Sequence, residues 1–189
     1  MSYDIIIADP PWQYGQVGNL GRKSCFVGTE GEHYTTTKSK NLYDVGTHLQ
    51  RVASKDSLLF MHCPSSMMDQ AISLMNSWGW TFATVAFVWD KQSPITGYYT
   101  MSQCEFVIVG KRGKIPRPYH QSGQRQFLSI KKGKHSVKPE EIQDRIDKMW
   151  SDPKFSKLEL FARRHRPGWT CLGNELDGLD IRDALEGLE

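Results

Sequence analysis

Asp9-Pro10-Pro11-Trp12 follows the apolar stretch from Ile5 to Ala8. Four residues there combine an anionic acceptor, two rings that fix the backbone and a flat aromatic surface. That set suits a planar ring carrying an exocyclic amino group. The lone pair of such a group is delocalised into the ring, so it reacts only when both N–H groups are held and the lone pair is turned toward an electrophile. The Asp9 carboxylate supplies one acceptor, and the Pro10 carbonyl supplies a second because consecutive prolines fix its direction. Trp12 offers a face on which an extruded base stacks. A strand end with an ordinary proline turn and a surface tryptophan would be spelled the same way.

The elements around the motif decide whether it can act. Ile5 to Ala8 is short, β-branched and apolar, as expected of a strand buried on both faces of a parallel sheet. In open α/β sheets ligands bind beyond the carboxyl ends of the strands, where Asp9 to Trp12 would lie. Residues 13 to 36 carry five glycines without apolar periodicity and read as a long loop. Thr37 is placed to cap a helix bearing Leu42, Val45, Leu49 and Val52 at helical spacing. Ser57 to His62 is a second buried strand. Pro64 then starts a helix with Met68, Ala71, Ile72 and Met75 on one face and Gly79 as its stop. Thr81 to Trp89 and Cys104 to Gly110 read as an antiparallel pair at a sheet edge. Pro139 opens a helix with Ile142, Ile146 and Met149 on its apolar face. Strands at Lys157 to Phe161 and Trp169 to Leu172 and a terminal helix from about Asp180 follow. Strands alternating with helices imply an α/β fold with parallel strands at its centre.

A chain of 189 residues with 39% hydrophobic content and six Trp is expected to form one domain over 1–189. No apolar run reaches membrane-span length and the N-terminus has no signal layout, so a soluble, cytoplasmic protein is expected. Cys25, Cys63, Cys104 and Cys171 are too dispersed for a zinc pattern; reduced thiols and no structural metal are expected. The net charge of +3 hides an asymmetry, because between Glu105 and Glu140 there are nine basic residues and no acidic one. Lys131, Lys132 and Lys134 lie in that run. It suits a polyanion-binding face, and it equally suits a solvated loop.

Further along the chain, Ala8-Asp9-Pro10-Pro11-Trp12 is joined by His33-Tyr34-Thr35-Thr36, Val88-Trp89-Asp90-Lys91 and Cys104-Glu105-Phe106-Val107-Ile108-Val109-Gly110. Ser136-Val137-Lys138-Pro139-Glu140-Glu141-Ile142, the run from Lys157 to His165 and the run from Trp169 to Leu176 complete the series. In this order the motifs resemble the adenine N6-methyltransferases typified by the catalytic subunit of the messenger-RNA adenosine methyltransferase, with bacterial and phage DNA-modifying relatives. The resemblance covers essentially the whole chain.

It implies a Rossmann-like class I methyltransferase fold in permuted order, with the catalytic strand N-terminal and the cofactor-binding strand C-terminal. It implies S-adenosyl-L-methionine as cofactor. The donor's sulfonium methyl reacts by in-line displacement, so orientation outweighs any dedicated nucleophile, and Asp9 also attracts the donor's cationic portion. Catalysis falls to Asp9, Pro10, Pro11 and Trp12. Cofactor contacts fall to Asp9, Lys138, Glu159, Phe161, Arg163, His165, Asn174 and Glu175, with Lys138 beside a helix N-terminus making an anion site and Asn174 and Glu175 ending the last strand, toward the ribose. Tyr34, Trp89, Lys91 and Glu105 match substrate-side positions, where packing or surface roles are nearly as good a reading. Arg166 and Glu175 depart from the best-known members, which have Asn and Gln there. The chain begins almost at the catalytic strand, so the upstream segment that touches the cofactor's adenine in larger members is expected to be absent. The expected substrate is adenine in DNA. RNA adenosine, a non-catalytic nucleic-acid-binding subunit, and a small or protein substrate are the alternatives, and a homodimer or a partner subunit is expected.

Overall fold

Alternate side chains of β1 (Tyr3–Ala8) enter two different cores, which is why the strand reads as an unbroken apolar run. Ile6 and Ala8 pack on one face with α1 (Lys40–Val52), α2 (Met68–Ser77) and α5 (Ile181–Glu186). Ile5 and Ile7 pack on the other with α3 (Glu140–Met149). The computed structural model describes residues 2–12, 40–97, 99–115, 123–133 and 137–188. The glycine-bearing stretch 13–36 and the Thr37 cap lie outside the described residues.

The remaining elements are β2 (Ala53–Pro64), β3 (Thr81–Thr96), β4 (Met101–Arg112), β5 (Phe127–Ser129), β6 (Lys157–Leu160), β7 (Thr170–Leu172) and the short α4 (Asn174–Asp177). They complete a seven-stranded sheet in the order β5-β3-β4-β2-β1-β6-β7. β1 pairs in parallel with β2 and β6, β6 with β7, and β3 with β5. β4 is antiparallel to both β2 and β3. Two antiparallel steps restore direction, so β3 runs the same way as β1. Helices cover both faces, giving the α/β, Rossmann-like layering expected.

Leu42, Val45, Leu49 and Val52 are all buried, as are Ala71, Met75, Ile142 and Ile146. Pro64 precedes a short 3-10 turn that leads into α2, and Gly79 ends the helix at φ 98, a backbone conformation that favours glycine. The β3–β4 pair is antiparallel as expected, but it does not form the sheet edge. β5, drawn from inside the basic run, pairs with β3 and takes that place. No helix among the described residues is long and apolar enough to cross a membrane. Cys63, Cys104 and Cys171 are free thiols. Burial and then the nearby Glu105 push the Cys63 thiol up to about 12, so it is held in its protonated form.

α1 crosses the end of α2 with almost no space between them. A Cβ on Gly46 would stand 2.8 Å from both Cα and Cδ1 of Trp78. The fully buried Trp78 is itself pinned, its Nε1 donating to the Leu42 carbonyl at 2.7 Å. Gly46→Ala would gain about 1 kcal/mol of helix propensity. The overpacking it causes costs about 1–3 kcal/mol, and the upper end applies when backbone is struck. The variant is expected to be less stable, with a lower urea midpoint at an unchanged denaturant slope.

Candidate active site

The last register partners of Ala8 are Met61 in β2 and Leu160 in β6. Asp9, His62 and Phe161 therefore form the next row, at the carboxyl edge of the three central strands. Pro10 and Pro11 end β1 because neither can donate to a ladder. The chain leaves β6 through Phe161 at φ 61, a left-handed conformation that few non-glycine residues adopt. A cleft opens at this edge. It is lined by Asp9 and His62, by Glu159 to Phe161, by Val137 to Pro139 with Ile142 and Gln143 of α3, and by Arg163 and Arg164.

Lys138 organises its charge. Its Nζ lies 3.2 Å from Asp9 Oδ1 and 2.8 Å from Glu105 Oε1. Burial would lower the Lys138 pKa, but the charges of Asp9 and Glu105 outweigh it and raise it. Glu105 is buried at 8% exposure, with Lys91 Nζ 4.0 Å from its other oxygen and His62 Nδ1 3.6 Å from Oε1. Burial would raise its pKa, and the neighbouring His62 and Lys138 reverse the sign, lowering it to about 2. The site therefore holds an ionised carboxylate, an ammonium and the partly exposed Asp9 in one chain of contacts.

Trp12 is tied to the same edge. Its Nε1 donates to the His62 carbonyl at 2.8 Å, and its ring packs against the first core. Its backbone N–H donates to the Pro10 carbonyl at 2.8 Å. That three-residue turn fixes the carbonyl's direction and leaves a second lone pair able to accept.

Comparison with known proteins decides the family. The MT-A70 family model matches residues 3–175. The Mycoplasma type II methyltransferase M.MunI is 39% identical across 98% of this chain and 82% of its own length. The chain belongs to the MT-A70 family. The human N(6)-adenosine-methyltransferase catalytic subunit METTL3 is 25% identical over 96% of this chain, and the Danio rerio METTL3 subunit is 26% identical over 96%. This MT-A70 chain spans 29% of the length of each of those two relatives.

In this MT-A70 chain the structure brings Asp9, Lys138, Glu159, Phe161 and Arg163 to one cleft. Glu159 is held by Gln143, whose Nε2 donates to it at 2.8 Å. Asp9 at the strand end is partly buried. Its side chain is 23% exposed and ion-paired. His165 is exposed and stands outside the cleft lining. Asn174 and Glu175 begin α4 instead of ending a strand, and Glu175 reaches Arg163 at 3.6 Å without lining the cleft. Trp89 is buried at 2% exposure, its Nε1 donating to the Ile130 carbonyl at 2.7 Å. It fastens the basic segment to the sheet and presents no face to a substrate. Arg166 is structural too, with Nη2 2.6 Å from Asp144 and 2.8 Å from Asp147 on α3. Lys131 and Lys132 are exposed. Tyr34 and Lys134 lie outside the described residues. Among the described residues no cluster could hold a metal ion.

Sequence reading passed over His62, Gln143 and Arg164 as site residues. His62 and Gln143 carried a signal, since each is a polar side chain on an otherwise buried strand or helix face.

The Glu105 pKa carries a pH dependence. Its folded value lies below its ordinary 4.5, at about 2. The stabilisation is therefore complete above the unfolded value and lost as pH falls through the folded one, amounting to at most about 3 kcal/mol. From pH 4.5 down to 2, the denaturant midpoint of the parent protein should fall more steeply than that of Glu105→Gln. Parallel profiles would refute the assignment.

Proposed function

We propose that this chain methylates N6 of adenine in DNA, using the carboxyl-edge cleft as a two-part site for base and donor. It is an adenine N6-methyltransferase dependent on S-adenosylmethionine, as an MT-A70 member related to type II and N(6)-adenosine methyltransferases. The observation that carries the site is the convergence of Asp9 and Lys138 with Glu159 and Phe161 in one cleft.

The residues present fit the donor. A carboxylate, an ammonium and a second carboxylate alternate along apolar walls from Ile142, Leu160 and Phe161, matching a ligand with a cationic sulfur, an amino acid end and a nucleoside. Lys138 would hold the donor's carboxylate. The N-terminus of α3 adds little there, because Glu140 and Glu141 already occupy its first turn. Glu159 would accept from ribose hydroxyls, with Gln143 fixing its orientation. S-adenosylmethionine, when bound, supplies the electrophilic methyl group.

The chain's own residues do the rest by orientation. Asp9 and the Pro10 carbonyl accept the two N–H bonds of the adenine amino group, which turns its lone pair out of the ring plane. Trp12, immobilised by the His62 carbonyl, stacks on the extruded base. Lys138 Nζ, 3.2 Å from Asp9 Oδ1, holds that carboxylate in place as an acceptor. Greater likeness to a type II methyltransferase than to the adenosine methyltransferases supports DNA over RNA. The intact Asp9 to Trp12 motif, set against Lys138, favours catalysis over a non-catalytic binding subunit. The reading treats 1–189 as a single cytoplasmic domain in permuted strand order, supported by β1 lying beside β6. A homodimer or a partner subunit would supply further nucleic-acid contact.

Labelled S-adenosylmethionine incubated with matched single- and double-stranded DNA and RNA, followed by digestion, should yield labelled N6-methyl-deoxyadenosine. Asp9→Ala should lose at least about a hundredfold in transfer, as expected for an orienting group, while its circular dichroism stays that of a folded protein. Full activity in that variant would sink the mechanism.

Lys131, Lys132 and Lys134 are assigned to phosphates. Replacing all three with Gln should flatten the dependence of log binding constant on log salt by about 0.9 per lost contact. An unchanged slope would remove them from the interface.

A further inference from the structure

β3 and β4 outrun the rest of the sheet. The β2–β4 ladder ends where Pro64 faces Glu105, and Glu105 faces Trp89 of β3. The hairpin from Asp90 to Cys104 lies beyond that level. Because β3 runs parallel to β1, the overhang projects from the same edge as Asp9, by about 20 Å at 3.3 Å per residue.

Its base is clamped. Asp90 accepts from the Gln92 N–H at 2.9 Å, from Gln103 Nε2 at 2.5 Å and from Ser129 Oγ at 2.7 Å, joining β3, β4 and β5. Gln92 sits at φ 50 within a register shift between Asp90 and Ile95. Bulges of this kind re-aim a strand and persist where neighbouring contacts hold them. At the far end the Gly97 N–H donates to the Thr100 carbonyl at 3.2 Å, and a Cβ on Gly97 would stand 2.6 Å from the Thr100 carbonyl oxygen. The turn thus requires glycine and is tight.

Among threonines and a glutamine, the hairpin carries three large apolar side chains out there. Tyr99 is 98% exposed, Met101 58% and Ile95 51%. Lysines flank its base, since the Lys132 N–H donates to the Lys91 carbonyl at 3.1 Å and Lys131 and Lys132 are exposed. A stiff ribbon with an aromatic tip, basic residues at its root and a base-gripping site on the same edge has the charge and shape of a duplex-invading wedge.

We infer that the β3–β4 hairpin enters duplex DNA beside the target adenine, with Tyr99 stacking in the gap that the extruded base leaves. Ile95 and Met101 pack against the neighbouring base pairs, and Lys131 and Lys132 hold the adjacent phosphates. The inference rests on the adenine methyltransferase reading. It adds what keeps the duplex open while Trp12 holds the extruded base.

Denatured DNA has no stacked gap to fill, and this provides the test. Unmethylated genomic DNA would be offered as duplex and after heat denaturation, and the ratio of methyl transfer to the two forms measured for the parent, Tyr99→Ala and Tyr99→Trp. Tyr99→Ala is expected to lower the duplex-to-denatured ratio about tenfold, the scale of one lost base–aromatic stack, and Tyr99→Trp to restore it. An unchanged ratio in Tyr99→Ala, or equal losses on both forms, would overturn the wedge. So would a parent protein that methylates denatured DNA only. A parent protein that transfers methyl to neither form would overturn the reading of DNA as its substrate, and the wedge with it.

Discussion

Lys138 Nζ lies between two carboxylates carried by strands that do not touch. β2 separates β1 from β4, so Asp9 and Glu105 start from backbones about 10 Å apart, twice the spacing of neighbouring strands. One ammonium closes that distance across the end of β2, where Pro64 has ended the ladder. Its position is set from the far side of the sheet. Ile142 and Ile146 seat α3 in the second core, and Pro139 holds the start of that helix beside the cleft. Removing the ammonium would leave two carboxylates facing one another in a place water reaches poorly, at a cost of several kcal/mol.

Buried ion pairs are weak devices for stability, because desolvation cancels most of the Coulomb gain. The molecule contains a useful contrast. Asp147 meets Arg166, Lys157 and the Trp169 indole, tying α3 to β6 and to the turn before β7. That cluster stands outside the carboxyl-edge cleft, and its work is to hold elements together. The Asp9, Lys138 and Glu105 chain, by contrast, reaches the carboxyl-edge cleft through Asp9 and Lys138. Glu105 also gives Lys138 a partner from behind, so in the proposed reaction the lysine stays fixed when Asp9 turns to an amino group.

Much of this was legible in the sequence because it depends on local pattern. The apolar runs of β1 and β2, the helical spacing of α1 and α3, and the prolines that end β1 and start α3 each carry their own signal. What could not be read was adjacency across the sheet. Nothing local says that Glu105 stands opposite Pro64 and within reach of Lys138. Trp89 matches a substrate-side position through the family resemblance, with packing nearly as good a reading, and only burial separates the two. The family resemblance puts Asn174 and Glu175 at a strand end, whereas both fall in α4, whose four residues are too few to show helical periodicity. β5 was hidden for a similar reason, as three residues inside a basic run.

The placement of that basic run depends on a single reversal. Had β3 been added antiparallel to β1, its far end and the segment paired with it would have emerged at the amino edge, away from Asp9. β4 is antiparallel to both neighbours, so β3 recovers the direction of β1 and β5 follows it. The sheet therefore delivers Asp9, the hairpin tip and the lysines after β5 to one edge. Charge asymmetry that is only a compositional fact in the sequence becomes, through strand direction, a basic rim beside an acidic centre.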